Sequence, residues 1–162
     1  MNAATIVTLL DDLLDSAVAE LTAPPARRFV AHGEWAHDCE CVTSRVVEWT
    51  FAPESRVADY QVADYPVINQ ITLAVAVLRC YPSPDGTTVV PDVADLTTAA
   101  NVLAADLAEL TEGLSTRWEA GTLFPNLSPN TLVGAQAGWI AARAIGPEGG
   151  FAGWEVSVTV RA

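Results

Sequence analysis

The sequence predicts a single α+β domain, and three observations carry that prediction. Two long stretches, 3–22 and 92–119, space their apolar residues as amphipathic helices do. The stretch 67–81 is apolar on both of its alternating faces, and 154–160 alternates strictly between apolar and polar side chains. Read in order the elements run α-β-β-β-α-β-β, which lets two helices pack on one mixed or antiparallel sheet. A length of 162 residues suits one domain, 1–162, around one core.

Each element has its own justification. In 3–22, Ile6, Leu10, Leu13, Ala17 and Leu21 form a stripe that Leu9, Leu14 and Val18 widen, while Asp11, Asp12, Asp15 and Glu20 form the polar side. Pro24 and Pro25 stop that helix, because proline lacks the amide donor and disfavours helix in the residue before it. Residues 27–33, "RRFVAHG", read as short and extended. Residues 39–51, "CECVTSRVVEWTF", are rich in β-branched and aromatic side chains and read as a strand. Its two faces are Cys41/Thr43/Arg45/Val47/Trp49 and Val42/Ser44/Val46/Glu48.

Residues 52–66 form a long connection containing the echo VADYQ, VADY; two such units do not make a repeat fold. The strand 67–81 puts Ile71, Leu73, Val75 and Val77 against Ala74, Ala76 and Leu78 on its opposite face, as a central strand would. "PSPDG" at 82–86 is turn chemistry. In 92–119, Asp92 suits the N-cap, Leu96, Leu103, Leu107, Leu110, Leu114 and Trp118 form the stripe, and Gly121 suits the end. After the loop 124–130 comes a hairpin: 131–145, the turn "GPEGGFAG" at 146–153, then 154–160, with Trp154, Val156, Val158 and Val160 inward and Glu155, Ser157, Thr159 and Arg161 outward.

The stretch "HGEWAHDCEC", 32–41, concentrates His32, His37, Cys39 and Cys41. Zinc needs about four converging N or S ligands, and a Cys-x-Cys pair on a strand sets its sulfurs roughly 6–7 Å apart, poorly placed for one ion. A Cys–His nucleophile pair with His37 has no recognisable third group or oxyanion nest. A Cys41–Cys80 or Cys39–Cys80 disulfide requires those strands to pair, and synthesis in a reducing cytoplasm argues against it. The expectation is that the cysteines are small core or interface hydrophobes. Asp59 and Asp64 have no His or Lys beside them in their loop, and the 146–153 glycines are no phosphate loop, since no G-K-[ST] follows. No catalytic residue, metal ligand or cofactor is assigned.

Composition narrows the function classes. The chain is 51% hydrophobic with a mean hydropathy of +0.27, values of a folded protein. Its net charge is −12, with eight arginines and no lysine, so it lacks the clustered cations that neutralise DNA phosphates. No apolar run approaches the roughly 20 residues of a spanning helix. The N-terminal stretch has no basic segment of the secretory kind, so the chain is expected to be made, and to stay soluble, in a cytoplasm.

"ARRFVAHGEWAHDCECV" at 26–42 and "IGPEGGFAGWEVSVTV" at 145–160 resemble a family of small proteins encoded among the head–tail joining genes of long-tailed actinobacterial phages. The matching features are Arg28, the Val-Ala-His-Gly turn at 30–33, the triplet Asp38-Cys39-Glu40, the pair Arg79-Cys80, and the Gly-Pro-Glu-Gly-Gly hairpin ending in Trp154. In that family's pattern a glutamine-bearing stretch follows the triplet, whereas Cys41 follows it here, which speaks against Cys41 as a ligand. The order of elements also resembles the tail-terminator fold. The resemblance implies a virion structural protein and no enzyme. It implies a ring, commonly a hexamer, that caps the tail tube of the major tail protein and receives the head connector or stopper while DNA passes through its lumen. Its location would be the tail neck of the virion, after assembly in the host cytoplasm. A different head–tail connector or a tail tube subunit is the alternative, and a Cys/His metal-dependent enzyme a more distant one.

An acidic, lysine-free chain suits a lumen through which DNA must slide. Head-to-tail ring contacts need two different sticky surfaces, and five tryptophans are many for one small core. Trp118 and Trp154 are expected in the core. Trp35, in its Gly/His/Glu turn, is the first interface candidate, followed by Phe124, Tyr60 and Tyr65. The acidic 52–66 loop, with Asp59 and Asp64, is the candidate contact between subunits or between rings.

Overall fold

The computed structural model describes residues 3–31, 39–51, 69–82, 90–127, 140–148 and 150–161. They form α1 (Ala3–Glu20), β1 (Arg27–Val30), β2 (Cys41–Phe51), β3 (Asn69–Cys80), α2 (Val93–Glu119), β4 (Ile140–Glu148) and β5 (Phe151–Arg161), the expected order. The strands make one sheet in the order β1-β2-β3-β5-β4. All pairs are antiparallel except β1 with β2, which run parallel although only residues 31–40 connect them, a short connection for a parallel neighbour.

Both helices lie on one face of the sheet. The α1 leucines Leu9, Leu10, Leu13 and Leu14 pack with Leu110 and Leu114 of α2 onto Val42, Ile71, Leu73, Val75, Val77, Val156, Val158 and Val160. The sheet side chains in this core are the alternate residues of three adjacent strands, as the register requires. Asp92 caps α2 by accepting from the Ala94 N–H at 3.3 Å. Gly121, in the left-handed region at φ 69°, turns the chain away after the helix ends. The loop behind it folds back on α1: Ser16 Oγ donates to the Leu123 carbonyl at 3.1 Å, and the Asn126 side-chain amide donates to Asp12 at 2.6 Å.

Several expectations are corrected. Asp12 is not on the polar side of α1; it is buried and satisfied by Asn126. Phe124 is not a surface contact: it is 7% exposed, its ring edge-on to Trp118 at 6.4 Å between centroids, so its apolar area is used inside the subunit. Trp154 pairs with the core residue Val77 but is itself only half-buried and does not join the core cluster. The faces of β2 do not alternate to its end. A bulge between Val46 and Glu48 leaves Val47 as the extra residue and pairs Trp49 with Ile71, on the helix-covered face. The glycine-rich stretch is mostly strand: β4 runs on through a cis Gly146–Pro147 bond to Glu148, and the turn is shorter than expected.

Gly153 shows why a glycine sits inside β5. A Cβ built there would overlap the Val77 carbonyl oxygen, so only hydrogen lets β5 approach β3 at this point. Gly153→Ala is expected to destabilise the fold by about 1–3 kcal/mol, as overpacking does, read as a lower urea midpoint with an unchanged m-value.

Candidate functional site

The described segments that carry the sequence resemblance meet at one end of the sheet. Parallel pairing sets Arg27 beside Cys41, antiparallel pairing sets Cys41 beside Leu78, and Cys80 faces Phe151 of the hairpin. The Tyr81 N–H donates to the Gly150 carbonyl at 2.8 Å, tying the end of β3 to the hairpin turn. On the face without helices, Cys41, Leu78 and Phe151 form a small apolar cluster flanked by Phe29, Cys39 and Ile145. Cys39 and Cys80 are joined in a disulfide, and Cys41 is buried outside it. The expectation of three unbonded cysteines is thus corrected. The reason is topological: β2 and β3 pair antiparallel, and Cys39, just before β2, lands against the last residue of β3. In the disulfide neither sulfur is a thiolate, so neither can ligate zinc.

Arg79 organises the helix side of this end. Its Nε and Nη2 donate to the two carboxylate oxygens of Asp106 on α2, both at 2.8 Å, and Nη2 also donates to the Ala23 carbonyl at 2.7 Å. Its Nη1 reaches Glu40 at 3.4 Å. The Arg79 and Asp106 side chains are 12% and 5% exposed. Hydrogen bonding to Asp106 raises the guanidinium pKa above its ordinary value against the opposing effect of burial, and the charges of Asp106 and Glu40 act in the same direction. Glu40 stands in the left-handed region at φ 57°, a conformation costing a non-glycine residue about 1–3 kcal/mol. Its carboxylate accepts from the Cys80 N–H at 3.1 Å, which helps to hold it there.

A second ion cluster crosses the other face. Arg45 of β2 and Arg143 of β4 both pair with Glu155 of β5, which lies on the outward face that the alternation implied but is buried there. β2 and β5 flank β3 and stand about 10 Å apart. The bridge between them therefore spans β3, where Ala74 and Ala76 are small enough to leave room beneath it. Between the end of α1 and α2 lies an open groove of about 560 Å³ lined by Glu20, Glu109, Glu112, Gly113, Thr116, Arg117 and Thr122. Arg117 pairs with Glu20 there. The Thr22 hydroxyl, and then its N–H, hold the Glu109 carboxyl below the usual carboxylate range.

The first half of α2 differs from the second. The buried residues of this helix are Asp106, Leu110, Gly113 and Leu114, and none of residues 93–105 is buried. Val93 is 74% and Val102 42% exposed, and Asp95 is the single charged side chain in that stretch.

Of the site residues read from the sequence, only Phe124 is among the described residues. Trp35, Asp59, Tyr60, Asp64 and Tyr65, and the whole 52–66 loop, lie outside the described residues, and Phe124 is in the core. Sequence reasoning missed Arg79, Asp106 and Glu155. Two of them left a trace: Arg79 is a lone charge ending an apolar strand, and Asp106 lies within the leucine stripe of α2. Among the described residues no group of three or more His, Cys, Asp or Glu is placed to hold a metal ion, and no helix is long and apolar enough to cross a membrane.

Arg79→Met should destabilise by about 3–5 kcal/mol in urea unfolding, because it strands the Asp106 charge in the interior, and adding Asp106→Leu should restore most of the loss. For Glu109 the lowered folded pKa means stability that is present above the unfolded carboxylate pKa and is lost as pH falls through the folded one. Thr22→Val should raise the Glu109 titration midpoint followed by carboxyl NMR. No family model matches this chain, and no curated protein is detectably similar to it.

Proposed function

We propose that this chain is a structural subunit of the neck of a long-tailed phage: a tail terminator that closes into a ring, caps the tail tube and meets the head connector, with DNA passing through the hole. The observation that carries this reading is where the charge is spent. Arg28, Arg45, Arg79, Arg117 and Arg143 each contact a carboxylate of their own chain. Asp11, Asp95, Glu112 and Glu119 stand exposed on the helices. A surface that keeps its guanidinium groups in internal pairs and presents carboxylates lets a polyanion slide without gripping it.

Self-association between copies of a −12 chain needs contact surfaces with little charge, since like charges oppose association. The exposed, nearly uncharged first half of α2 is such a surface. Ring closure uses head-to-tail contacts, and the 52–66 loop with Tyr60 and Tyr65, together with Trp35, is the proposed second contact. The same features suit another connector ring or a tube subunit, and assembly behaviour separates these: a terminator stops at a ring, whereas a tube subunit polymerises without limit.

Sedimentation of the purified chain should show a closed oligomer, and the chain should not retard duplex DNA at physiological salt. A monomer that binds DNA tightly would overturn the proposal. Deleting 55–64 should leave far-UV dichroism unchanged and block head–tail joining in a complementation assay.

A further inference from the structure

We propose that the Cys39–Cys80 disulfide is a redox-operated clasp that sets how the chain enters β2. Three observations point to it. First, the bond joins the residue just before β2 to the last residue of β3, across 41 residues of sequence. Second, the residue inside the clasp, Glu40, is the sole non-glycine among the described residues with a positive φ. It is held there by the bond on one side and on the other by the Cys80 N–H, with Arg79 Nη1 at 3.4 Å from its carboxylate. Third, accessibility is graded: Cys80 is exposed and Cys39 half-exposed, whereas Cys41 is fully buried. A thiol in solution reaches the bond and is kept from Cys41.

The chemistry balances with a dithiol as reductant. Its thiolate attacks the Sγ of Cys80, the more exposed residue of the two, the S–S bond breaks, and Cys39 leaves as a thiolate that takes up a proton. The second thiol of the reductant then displaces Cys80, so two electrons pass to the protein and the reductant ends as its own disulfide. Opening the clasp lets Glu40 leave the left-handed region and give up the Cys80 N–H. Arg79 keeps Asp106 and the Ala23 carbonyl, so the two layers stay docked. The change is confined to the start of β2, directly after the stretch that carries Trp35. A thiol-rich compartment favours the open form and an oxidising medium the closed one. On the neck reading proposed above, subunits would assemble open and close in the released particle; the clasp itself does not depend on that reading.

The test uses the full chain incubated with oxidised glutathione or with dithiothreitol, then denatured and alkylated. One alkylated cysteine, Cys41, is expected in the oxidised protein and three in the reduced one. Reduction should lower the melting temperature by roughly 5–15 °C, with far-UV dichroism retained. Increased hydrogen exchange should be confined to residues 39–42 and 78–82. Cys41→Ser should respond as the wild type does, whereas Cys39→Ser and Cys80→Ser should melt like the reduced protein and ignore the reductant. If those two variants do not fold, the wild type and Cys41→Ser still decide the matter. Three alkylated cysteines after oxidation, an unchanged melting temperature on reduction, or loss of the response in Cys41→Ser would overturn the clasp. Absence of rings in both redox states, with the thiol counts as expected, would instead overturn the neck reading.

Discussion

Arg79 reaches from the end of β3 into the helix layer, and much of the architecture follows from what a buried guanidinium requires. An isolated cation in that position would be prohibitively costly to desolvate. It is tolerated because Asp106 accepts two parallel hydrogen bonds and Ala23 a third. These partners lie on α2 and in the segment after α1, so one side chain ties both helices to the central strand. Asp106 must sit over the end of β3, which sets the position of α2 along its axis and brings Leu110 and Leu114 over the core. The first half of the helix is left reaching beyond the buried layer.

The opposite face of the sheet solves a related problem with different means. Here no described helix covers β3, and Ala74 and Ala76 are nevertheless fully buried. Their small size lets Arg45 and Glu155 meet across the strand, with Arg143 joining from the edge. Glu155 is 4% exposed, and two guanidinium partners offset the cost of burying its charge. At the end of this face the ion cluster gives way to Cys41, Leu78 and Phe151. The disulfide and the hairpin turn close the sheet at that end.

Both clusters bear on how the protein meets its surroundings. Each pairs arginines of a cation-poor chain with its own carboxylates, so those guanidinium groups are already engaged. The same chain leaves uncharged helix exposed at 93–105, where identical acidic copies could approach one another with little repulsion. This division between acidic and neutral surface, more than any reactive group, is what the neck proposal rests on.

Local periodicity was sufficient for the elements. The leucine spacing of α1 and α2, the two apolar faces of β3 and the alternation of β5 each follow from geometry repeated every few residues, and the Asp92 cap and the Gly121 stop are short-range chemistry. The acidity, the lack of lysine and the α+β class were equally legible. What the sequence could not decide were relations between distant positions. The Cys39–Cys80 pairing rather than Cys41–Cys80, the Arg79–Asp106 pair, Glu155 buried on the helix-free face and Phe124 taken into the core all depend on which strands lie side by side and in what register. The bulge at Val47 shows the reason in miniature: one extra residue sends Trp49 to the other face, and only the partner strand reveals that it is there. The sequence by itself determined which segments would be helix and strand, because those are set by neighbours in the chain. Tertiary structure alone decided which charges and sulfurs would meet, because burial and register are set by neighbours in space.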